Sequence, residues 1–307
     1  MKFDLVIIGG GPAAIAGGVY AARKRLKTLV IAKEFGGQSI VSSEIFNWIG
    51  TPSIRGEDLA KSLKNHLEQY KGEYITIEEG LLVTKVAGTQ GDFAITTNTE
   101  KVFTCSMVLV ASGATRRRLK VSGTMEYDQK GLTYCATCDG PLFSGMDVVV
   151  VGGGNAGFES ASQLLAYAKS VTLLDNGDMF KAEPITIEKV LSRKNMKAIL
   201  HAETTEILGD KMVTGIKYKD TKTGEEQVLP VQGIFIEIGV VPNTQMVEDL
   251  VALDAVKHIQ VDPWTQQTSE KGVWAAGDCT NGLYAQNNIA VGDAVKALED
   301  IYVHFHK

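Results

Sequence analysis

The sequence predicts an α/β fold built from two similar units, each a strand that breaks into a glycine-rich turn and continues as a helix. Three observations carry this. Apolar residues Leu5 to Ile8 run into Gly9-Gly10-Gly11-Pro12-Ala13-Ala14 and then into the small-residue stretch Ile15 to Ala22. The same grammar returns at Val148 to Val151, followed by Gly152-Gly153-Gly154-Asn155-Ala156-Gly157 and the helical stretch Phe158 to Ala168. Each copy then reaches a second apolar strand, Thr28 to Ala32 in the first and Val171 to Leu174 in the second. One such turn is a weak signal because short glycine-rich loops are common, whereas two in matching contexts reinforce each other.

A chain of 307 residues has room for two domains with cores of their own. Hydrophobic residues at 44% and charged residues at 22% are ordinary globular composition, which sets aside disorder and fibrous repeats. The 32 glycines, against 7 prolines, point to several places where backbone passes close to a ligand or turns with positive φ. A formal net charge of −5 argues against a nucleic-acid surface, which needs a clustered positive field. The run Arg116-Arg117-Arg118 reads as a solvated connector rather than a docking patch. The first strand starts without a charged leader or cleavage site, and no apolar stretch approaches the roughly 20 residues that span a bilayer, so a cytoplasmic enzyme is expected.

The turn pattern has a specific physical use. Its first glycine makes the turn, its second lets backbone amides approach a pyrophosphate, and a small third residue lets helix and strand pack closely. The helix N-terminus then stabilises the phosphate charge. On this reading Gly9, Gly11, Pro12, Ala13 and Ala14 cradle one dinucleotide, with Ala14 standing where the pattern has its third glycine. Gly152, Gly154, Asn155 and Ala156 cradle a second. The architecture expected is therefore a pair of Rossmann-like dinucleotide-binding domains.

Asp175, about 20 residues after the second turn, is spaced to accept hydrogen bonds from ribose hydroxyls. Glu34 in the first copy has a less defined register and reads either as a ribose contact or as an exposed loop carboxylate. Between the units, Leu59, Leu63, Leu67 and Tyr70 share one face of a helix over Glu57 to Lys71, which is core packing.

Four cysteines are too few for a secreted disulfide scaffold, so their spacing matters more than their number. In Thr133-Tyr134-Cys135-Ala136-Thr137-Cys138-Asp139-Gly140 two thiols stand close enough for a small-loop disulfide, and the spacing fits either a redox pair or half of a zinc site. Cys105, Cys279 and the five histidines supply no second cluster at metal-ligand spacing, so no metal is expected. A zinc-binding protein without turnover stays as a reading from another class. A redox pair needs one thiol to become a thiolate and a neighbour that moves protons. Asp139 is the candidate, against an ordinary surface carboxylate. Cys105, in the apolar run Val102 to Val110, reads as a small buried hydrophobe, and the closing His304 and His306 as solvated end residues.

Gly9-Gly10-Gly11-Pro12-Ala13, Phe35-Gly36-Gly37-Gln38, Asn47-Trp48, Ala111-Ser112-Gly113-Ala114, the Cys135 to Gly140 segment, Gly152-Gly153-Gly154-Asn155 and Ala276-Gly277-Asp278-Cys279 follow one another along essentially the whole chain. In this order they resemble the low-molecular-weight thioredoxin reductases, and still more closely the C-terminal flavoprotein part of the alkyl hydroperoxide reductase system. The resemblance implies an FAD domain split in sequence, residues 1–116 and 245–307, with an NAD-type domain of residues 117–244 inserted and carrying the thiol pair. It places Gly36, Gly37, Gln38 and Asn47 near the flavin and Asp278 on its ribityl chain. Ala111, Gly113, Gly239, Gly277, Gln286 and Asn287 complete the cofactor sites.

By the same resemblance, hydride passes from nicotinamide to flavin, and the reduced flavin opens the Cys135–Cys138 disulfide. Cys138 would face the flavin, Cys135 would attack the partner's disulfide, and Asp139 would serve as acid and base. Domain rotation between half-reactions and a homodimer are expected on the same ground. The relatives' N-terminal disulfide-relay domain has no counterpart in this sequence, so a thioredoxin-like or glutaredoxin-like protein is the expected acceptor.

Two departures from the family bear on the electron donor. Where NADPH-dependent relatives carry a basic cluster, this chain has Asp175-Asn176-Gly177-Asp178, which would repel a 2′-phosphate; NADH is expected over NADPH, with Lys181 the nearby cation. Where the family has Arg-Gln-Ala, the chain reads Ala285-Gln286-Asn287 after Tyr284. Gln286 is kept and the arginine is missing, which holds open a reading with ferredoxin as donor and a vestigial nicotinamide site.

Overall fold

The computed structural model describes residues 2–41, 45 and 47–306, with the side chains of Val41, Thr137 and Cys138 outside the description. The first apolar run forms strand β1 (Lys2–Ile8), which the glycine turn releases into helix α1 (Pro12–Arg23). Proline opens that helix without penalty, because the first helical N–H has no partner in any case. Strand β2 (Thr28–Ala32) lies buried and parallel to β1, with Ile8 opposite Ile31. Helix α2 (Gly56–Glu68) buries Leu59 and Leu67; it stops at Glu68, so Tyr70 packs from the following turn rather than from the helix.

Strands β3 (Ile75–Glu79), β4 (Val83–Thr89), β5 (Asp92–Thr97) and β6 (Val102–Val110) complete the first pass through this unit. The chain leaves it along β7 (Ala114–Arg116). The second unit then runs through β8 (Leu132–Thr133), the four-residue helix α3 (Ala136–Asp139), β9 (Asp147–Val151), α4 (Asn155–Leu164), β10 (Ser170–Leu174), α5 (Pro184–Leu191) and β11 (Met196–Ile199). An antiparallel layer of β12 (Ala202–Gly209), β13 (Val213–Asp220) and β14 (Glu226–Pro230) precedes β15 (Gly233–Ile236). Strand β16 (Val240–Pro242) carries the chain back, and β17 (Val273–Ala275) and α6 (Asn287–Phe305) close the first unit.

The two compact units are residues 1–115 with 241–307, and residues 116–240. The return crossing falls four residues before the expected 245. Asn243 belongs to the first unit because its side chain accepts from Thr115 Oγ1 at 2.8 Å and donates to the Ser112 carbonyl at 3.0 Å. The outgoing and returning segments pair with each other as a two-stranded sheet, β16 with β7.

The first unit holds a seven-stranded sheet in the order β3-β2-β1-β6-β5-β4, with β17 beside β6. From Leu5 onward, successive residues of β1 face opposite sides, as a strand requires. Leu5 and Ile7 join a core with α1 and α6, whereas Phe3, Val6 and Ile8 join a second core beneath β4, β5 and β6. The second unit holds a five-stranded sheet in the order β11-β10-β9-β15-β8, all parallel. Its β9 is buried on both faces, which is why it reads as an unbroken valine run. Among the described residues no helix is long and apolar enough to cross a membrane.

Candidate dinucleotide sites and the cysteine loop

In the first unit the turn after β1 is braced by neighbouring backbone. Gly9 has φ +133°, and a Cβ there would stand 2.1 Å from the Ala111 carbonyl oxygen; one on Gly10 would meet the Glu34 carbonyl oxygen at 2.1 Å. Gly36 N–H donates to the Gly10 carbonyl at 2.9 Å, and Gly37 packs its backbone against Gly11. Ala111 N–H donates to Ile8 and Ala276 N–H to Val110, which brings the ends of β1, β6 and β17 to one edge. Gly277 follows there with φ +77°, and a Cβ on it would lie 3.5 Å from the Ala13 Cβ and 3.1 Å from that of Ala290. The N-termini of α1 and α6 therefore face the Gly277-Asp278 corner across small residues.

The surrounding loops are tied to one another by side chains. Asn47 Nδ2 donates to Gln286 Oε1 at 3.0 Å, Asn288 Nδ2 donates to the Asn47 carbonyl at 2.6 Å, and Ser39 Oγ donates to Asn287 Oδ1 at 2.7 Å. Gln38 is exposed beside Gly37, and Gly113 has φ +64° with open space where a Cβ would go. Burial pushes the Asp278 carboxyl above its ordinary range, and the His258 side chain pulls it back in part. The Glu34 side chain is exposed, so the residue meets the turn through its carbonyl alone.

In the second unit, Gly152 has φ +123° and a Cβ there would stand 2.2 Å from the Glu237 carbonyl oxygen. Asp175, at the end of β10, folds back on the turn: Oδ2 accepts from Gly153 N–H at 2.6 Å and Oδ1 from Gly177 N–H at 2.8 Å. Asn155 turns away from the cradle, its Oδ1 accepting from Glu183 N–H at 2.8 Å, while Ala156 is exposed. Asp178 pairs with His201 at 3.3 Å with its side chain 93% exposed. Gly239 has φ +90° and open space at its Cβ position.

The glycines at the two helix N-caps are the informative ones. Gly11 (φ −81°, ψ −176°) and Gly154 (φ −88°, ψ −176°) have backbone conformations open to any residue. A Cβ on Gly154 would meet nothing within 4 Å, and one on Gly11 only the Gly37 Cα at 3.9 Å. Neither backbone nor neighbours demand glycine here. A side chain would instead fill the space before the free N–H groups of α1 and α4, the space a pyrophosphate occupies in a dinucleotide cradle. Both turns fit such a group.

The thiol segment lies at the other side of the second unit's sheet order. Cys135 sits half-buried between β8 and α3. Thr133 Oγ1 donates to Asp139 Oδ2, and Cys135 N–H donates back to Thr133 Oγ1 at 3.4 Å. One buried hydroxyl therefore links the acid to the backbone of the thiol, and Asp139 N–H donates to the Cys135 carbonyl at 3.1 Å. Asp139 is not an ordinary surface carboxylate. The predicted role of the Cys138 thiol lies outside the described residues. Cys105 is buried and its thiol is pushed up to about 12 by that burial. Cys279 is also buried, its thiol raised by burial, with Sγ 3.5 Å from the Ala276 carbonyl oxygen. Among the described residues no group of three or more His, Cys, Asp or Glu side chains is placed to hold a metal ion.

One expectation is corrected. Arg117 and Arg118 are exposed, and Arg118 pairs with Asp128 at 3.4 Å, but Arg116 is not simply solvated. Its Nη1 is buried without a hydrogen-bond partner among the described residues. In the same unit, Glu237 is half-buried, with Oε1 accepting from Ser160 Oγ at 2.7 Å. Burial pushes its carboxyl above the ordinary range, Ser160 and Arg116 pull it back, and Glu159 adds to the rise. Ser160 and Glu237 carry no signal in the motifs, although an acid inside Ile234-Phe235-Ile236-Glu237-Ile238 is a visible break in an apolar strand.

A family model described as pyridine nucleotide-disulphide oxidoreductase matches residues 3–294. An alkyl hydroperoxide reductase subunit of Escherichia coli (strain K12) is 39% identical over 296 residues, covering 96% of this chain and 57% of that protein. A protein named NADH dehydrogenase from Bacillus subtilis (strain 168) is 37% identical over 295 residues, with the same 96% and 57% coverage. The chain thus spans little more than half the length of these curated relatives. The crystal structure of T. acidophilum thioredoxin reductase superposes with a TM-score of 0.82 at 39% identity, covering 100% of this chain and 99% of that one.

Proposed function

Because the chain belongs to the pyridine nucleotide-disulphide oxidoreductase family, we propose that it is an FAD-dependent disulfide reductase that draws electrons from NADH and delivers them through Cys135 and Cys138 to a thioredoxin-like or glutaredoxin-like protein. The observation that carries the proposal is the pair of N-cap glycines, Gly11 and Gly154, required by neither backbone nor neighbours and each fronting a helix N-terminus. Two such cradles in a chain that also holds a close cysteine pair suit one tightly held dinucleotide, one exchangeable dinucleotide and a sulfur outlet.

When bound, the flavin supplies two-electron transfer between the nicotinamide and the cysteine pair. The residues of the chain bind and orient around it. The α1 N-terminus and the Gly9 to Gly11 turn would hold the pyrophosphate, Asp278 would accept from ribityl hydroxyls, and the tethered loops at 37–41 and 286–288 would line the flavin site. At the outlet, Asp139 takes the proton of the Cys135 thiol, the thiolate attacks one sulfur of the acceptor disulfide and displaces the other as a thiolate, and that leaving thiolate takes the proton back from Asp139. Closure of the Cys135–Cys138 disulfide then releases the second acceptor sulfur. Thr133 keeps Asp139 within the loop during both steps.

NADH is favoured over NADPH because Asp175 stands where the adenosine ribose would lie and carries negative charge there. The name of the Bacillus subtilis relative points to the same donor. Anaerobic stopped-flow reduction with NADH and NADPH side by side, followed by addition of oxidised thioredoxins and glutaredoxins, tests the whole proposal. The expected result is bleaching of the flavin by NADH and its reoxidation by at least one acceptor. Failure of both nucleotides to bleach the flavin, or full turnover of every acceptor by the Cys135→Ser/Cys138→Ser double variant, overturns it.

A further inference from the structure

The sheet order of the second unit determines where the two halves of a nicotinamide dinucleotide lie. In the order β11-β10-β9-β15-β8, the glycine turn caps β9, with β10 on one flank and β15 on the other. Asp175, at the end of β10, marks the flank of the adenosine ribose. With the pyrophosphate over Gly152 to Gly154, where the strand order reverses, the nicotinamide half would extend to the opposite flank, toward the end of β15.

Glu237 is the first residue beyond that end. Its N–H donates to the Val151 carbonyl at 2.8 Å, and its own carbonyl lies so close to Gly152 that no side chain fits between them. The carboxyl is held by Ser160 on α4 through Oε1. A carboxyl oxygen bound once keeps acceptor capacity, as does its other oxygen. Arg116 is brought to the same end of the unit by the backbone, since Arg117 N–H donates to the Gly239 carbonyl at 2.9 Å, and its Nη1 is buried and donates to no described residue. A buried donor without an acceptor costs about 1–3 kcal/mol. Among native structures such groups are rare, and a ligand is one of the reasons for keeping one.

An orphaned donor near a carboxyl with acceptor capacity to spare is the complement of a primary amide, which offers one carbonyl oxygen and one NH2 group. The nicotinamide ring carries that amide. We propose that Arg116 and Glu237 are specificity-determining residues that read the nicotinamide carboxamide, Arg116 Nη1 donating to its oxygen and a Glu237 oxygen accepting from its NH2. The inference rests on the proposal that the second unit binds a pyridine nucleotide. It assigns no redox step to either residue.

The test is isothermal titration of the FAD-loaded full chain with NAD+ and with its acetylpyridine analogue, in which a methyl group replaces the amide NH2. The unaltered protein is expected to bind NAD+ about tenfold more tightly than the analogue, the size of one hydrogen bond to a charged or strongly polar group. Glu237→Leu should weaken NAD+ about tenfold and bring the two ligands to near equality. Glu237→Gln keeps an acceptor oxygen and should retain most of the discrimination, which guards against a variant that merely misfolds. Arg116→Met should weaken both ligands alike, because both keep the carbonyl. It should leave the melting temperature unchanged or raised, the opposite of what removal of a structural ion pair does. Unchanged affinities in all three variants, or a lowered melting temperature with intact discrimination, overturns the inference while leaving the nucleotide site in place. If the unaltered protein binds neither ligand, the nucleotide site itself is wrong and the inference goes with it.

Discussion

Asp175→Ala separates two jobs that one carboxylate performs. Its Oδ2 accepts from Gly153 N–H at 2.6 Å and its Oδ1 from Gly177 N–H at 2.8 Å, so the side chain holds the shape of the glycine turn before any ligand arrives. Gly153 is buried, and orphaning its N–H costs about 1–3 kcal/mol. That loss weakens NADH and NADPH equally. Selectivity rests on the other job: NADH loses ribose hydrogen bonds to the carboxylate, and NADPH is relieved of repulsion between the carboxylate and its 2′-phosphate. Taking about 1 kcal/mol for each after solvent screening, the ratio of dissociation constants should swing by about 2 kcal/mol, roughly 30-fold, toward NADPH. Titration of the FAD-loaded variant with NAD+ and NADP+ reads both effects, since the common loss appears in both constants and the swing only in their ratio. Asp178→Ala is the internal control, with little effect expected because that carboxylate is 93% exposed and pairs with His201. A ratio that stays within about twofold of the unaltered protein in Asp175→Ala would refute the assignment of the β10 flank to adenosine.

Gly11→Ala and Gly154→Ala add a methyl group that the chain itself has room for, so melting of the cofactor-free protein should shift by no more than about 2 °C. Gly11→Ala should nevertheless purify with substoichiometric FAD by absorbance, and Gly154→Ala should lose at least about tenfold in nucleotide affinity. Gly157→Ala should instead destabilise the second unit by more than about 3 kcal/mol in chemical denaturation, since its Cβ would lie 1.8 Å from the Gly152 carbonyl oxygen. Glu237→Gln carries a pH signature. The folded carboxyl holds its proton more tightly than the unfolded one, so Glu237 supports folding below about pH 4.3 and that support is lost as pH rises through the raised folded value. The variant should therefore gain melting temperature relative to the unaltered protein between pH 4 and pH 8, and a flat difference across that range would refute the shift.

Local pattern made much of this molecule legible. Strand β2 covers Thr28–Ala32, the range its unbroken apolar run predicts, and both glycine turns lie between a strand and a helix as their grammar requires. Helix α4, however, starts at Asn155 rather than Phe158 and ends at Leu164 rather than Ala168. Its start follows from the turn, whose N-cap must be the glycine that precedes the free N–H groups; side-chain periodicity is blind to that. What escaped altogether were contacts between distant residues. Ser160 and Glu237 are 77 positions apart and meet only because β15 pairs beside β9. Arg116 was hidden by its neighbours, since a run of three arginines averages to a solvated connector although one guanidinium is partly buried. The position of Asp139 was legible, but not the hydroxyl of Thr133 that holds it, because an apolar-flanked threonine in a strand reads first as packing.

The two turns start from one pattern and diverge in what closes over them. At the first, Ala14 is buried at the third position and the chain returns twice across the cradle, through Gly36 and Gly37 and through the Asn47, Gln286 and Asn288 tether. At the second, the third position is held to glycine by the Gly152 carbonyl, Asp175 is the side chain that holds the turn's own backbone, and Gly154 faces open space. A ligand under a tethered cover leaves only when several hydrogen bonds open together, whereas one against an open turn leaves by giving up its own contacts. On the proposed function, that asymmetry suits a resident cofactor in the first cradle and a substrate that departs after each turnover in the second. It also explains why discrimination between nucleotides would be built into single side chains at the two flanks of β9: an open site has no enclosing wall with which to select.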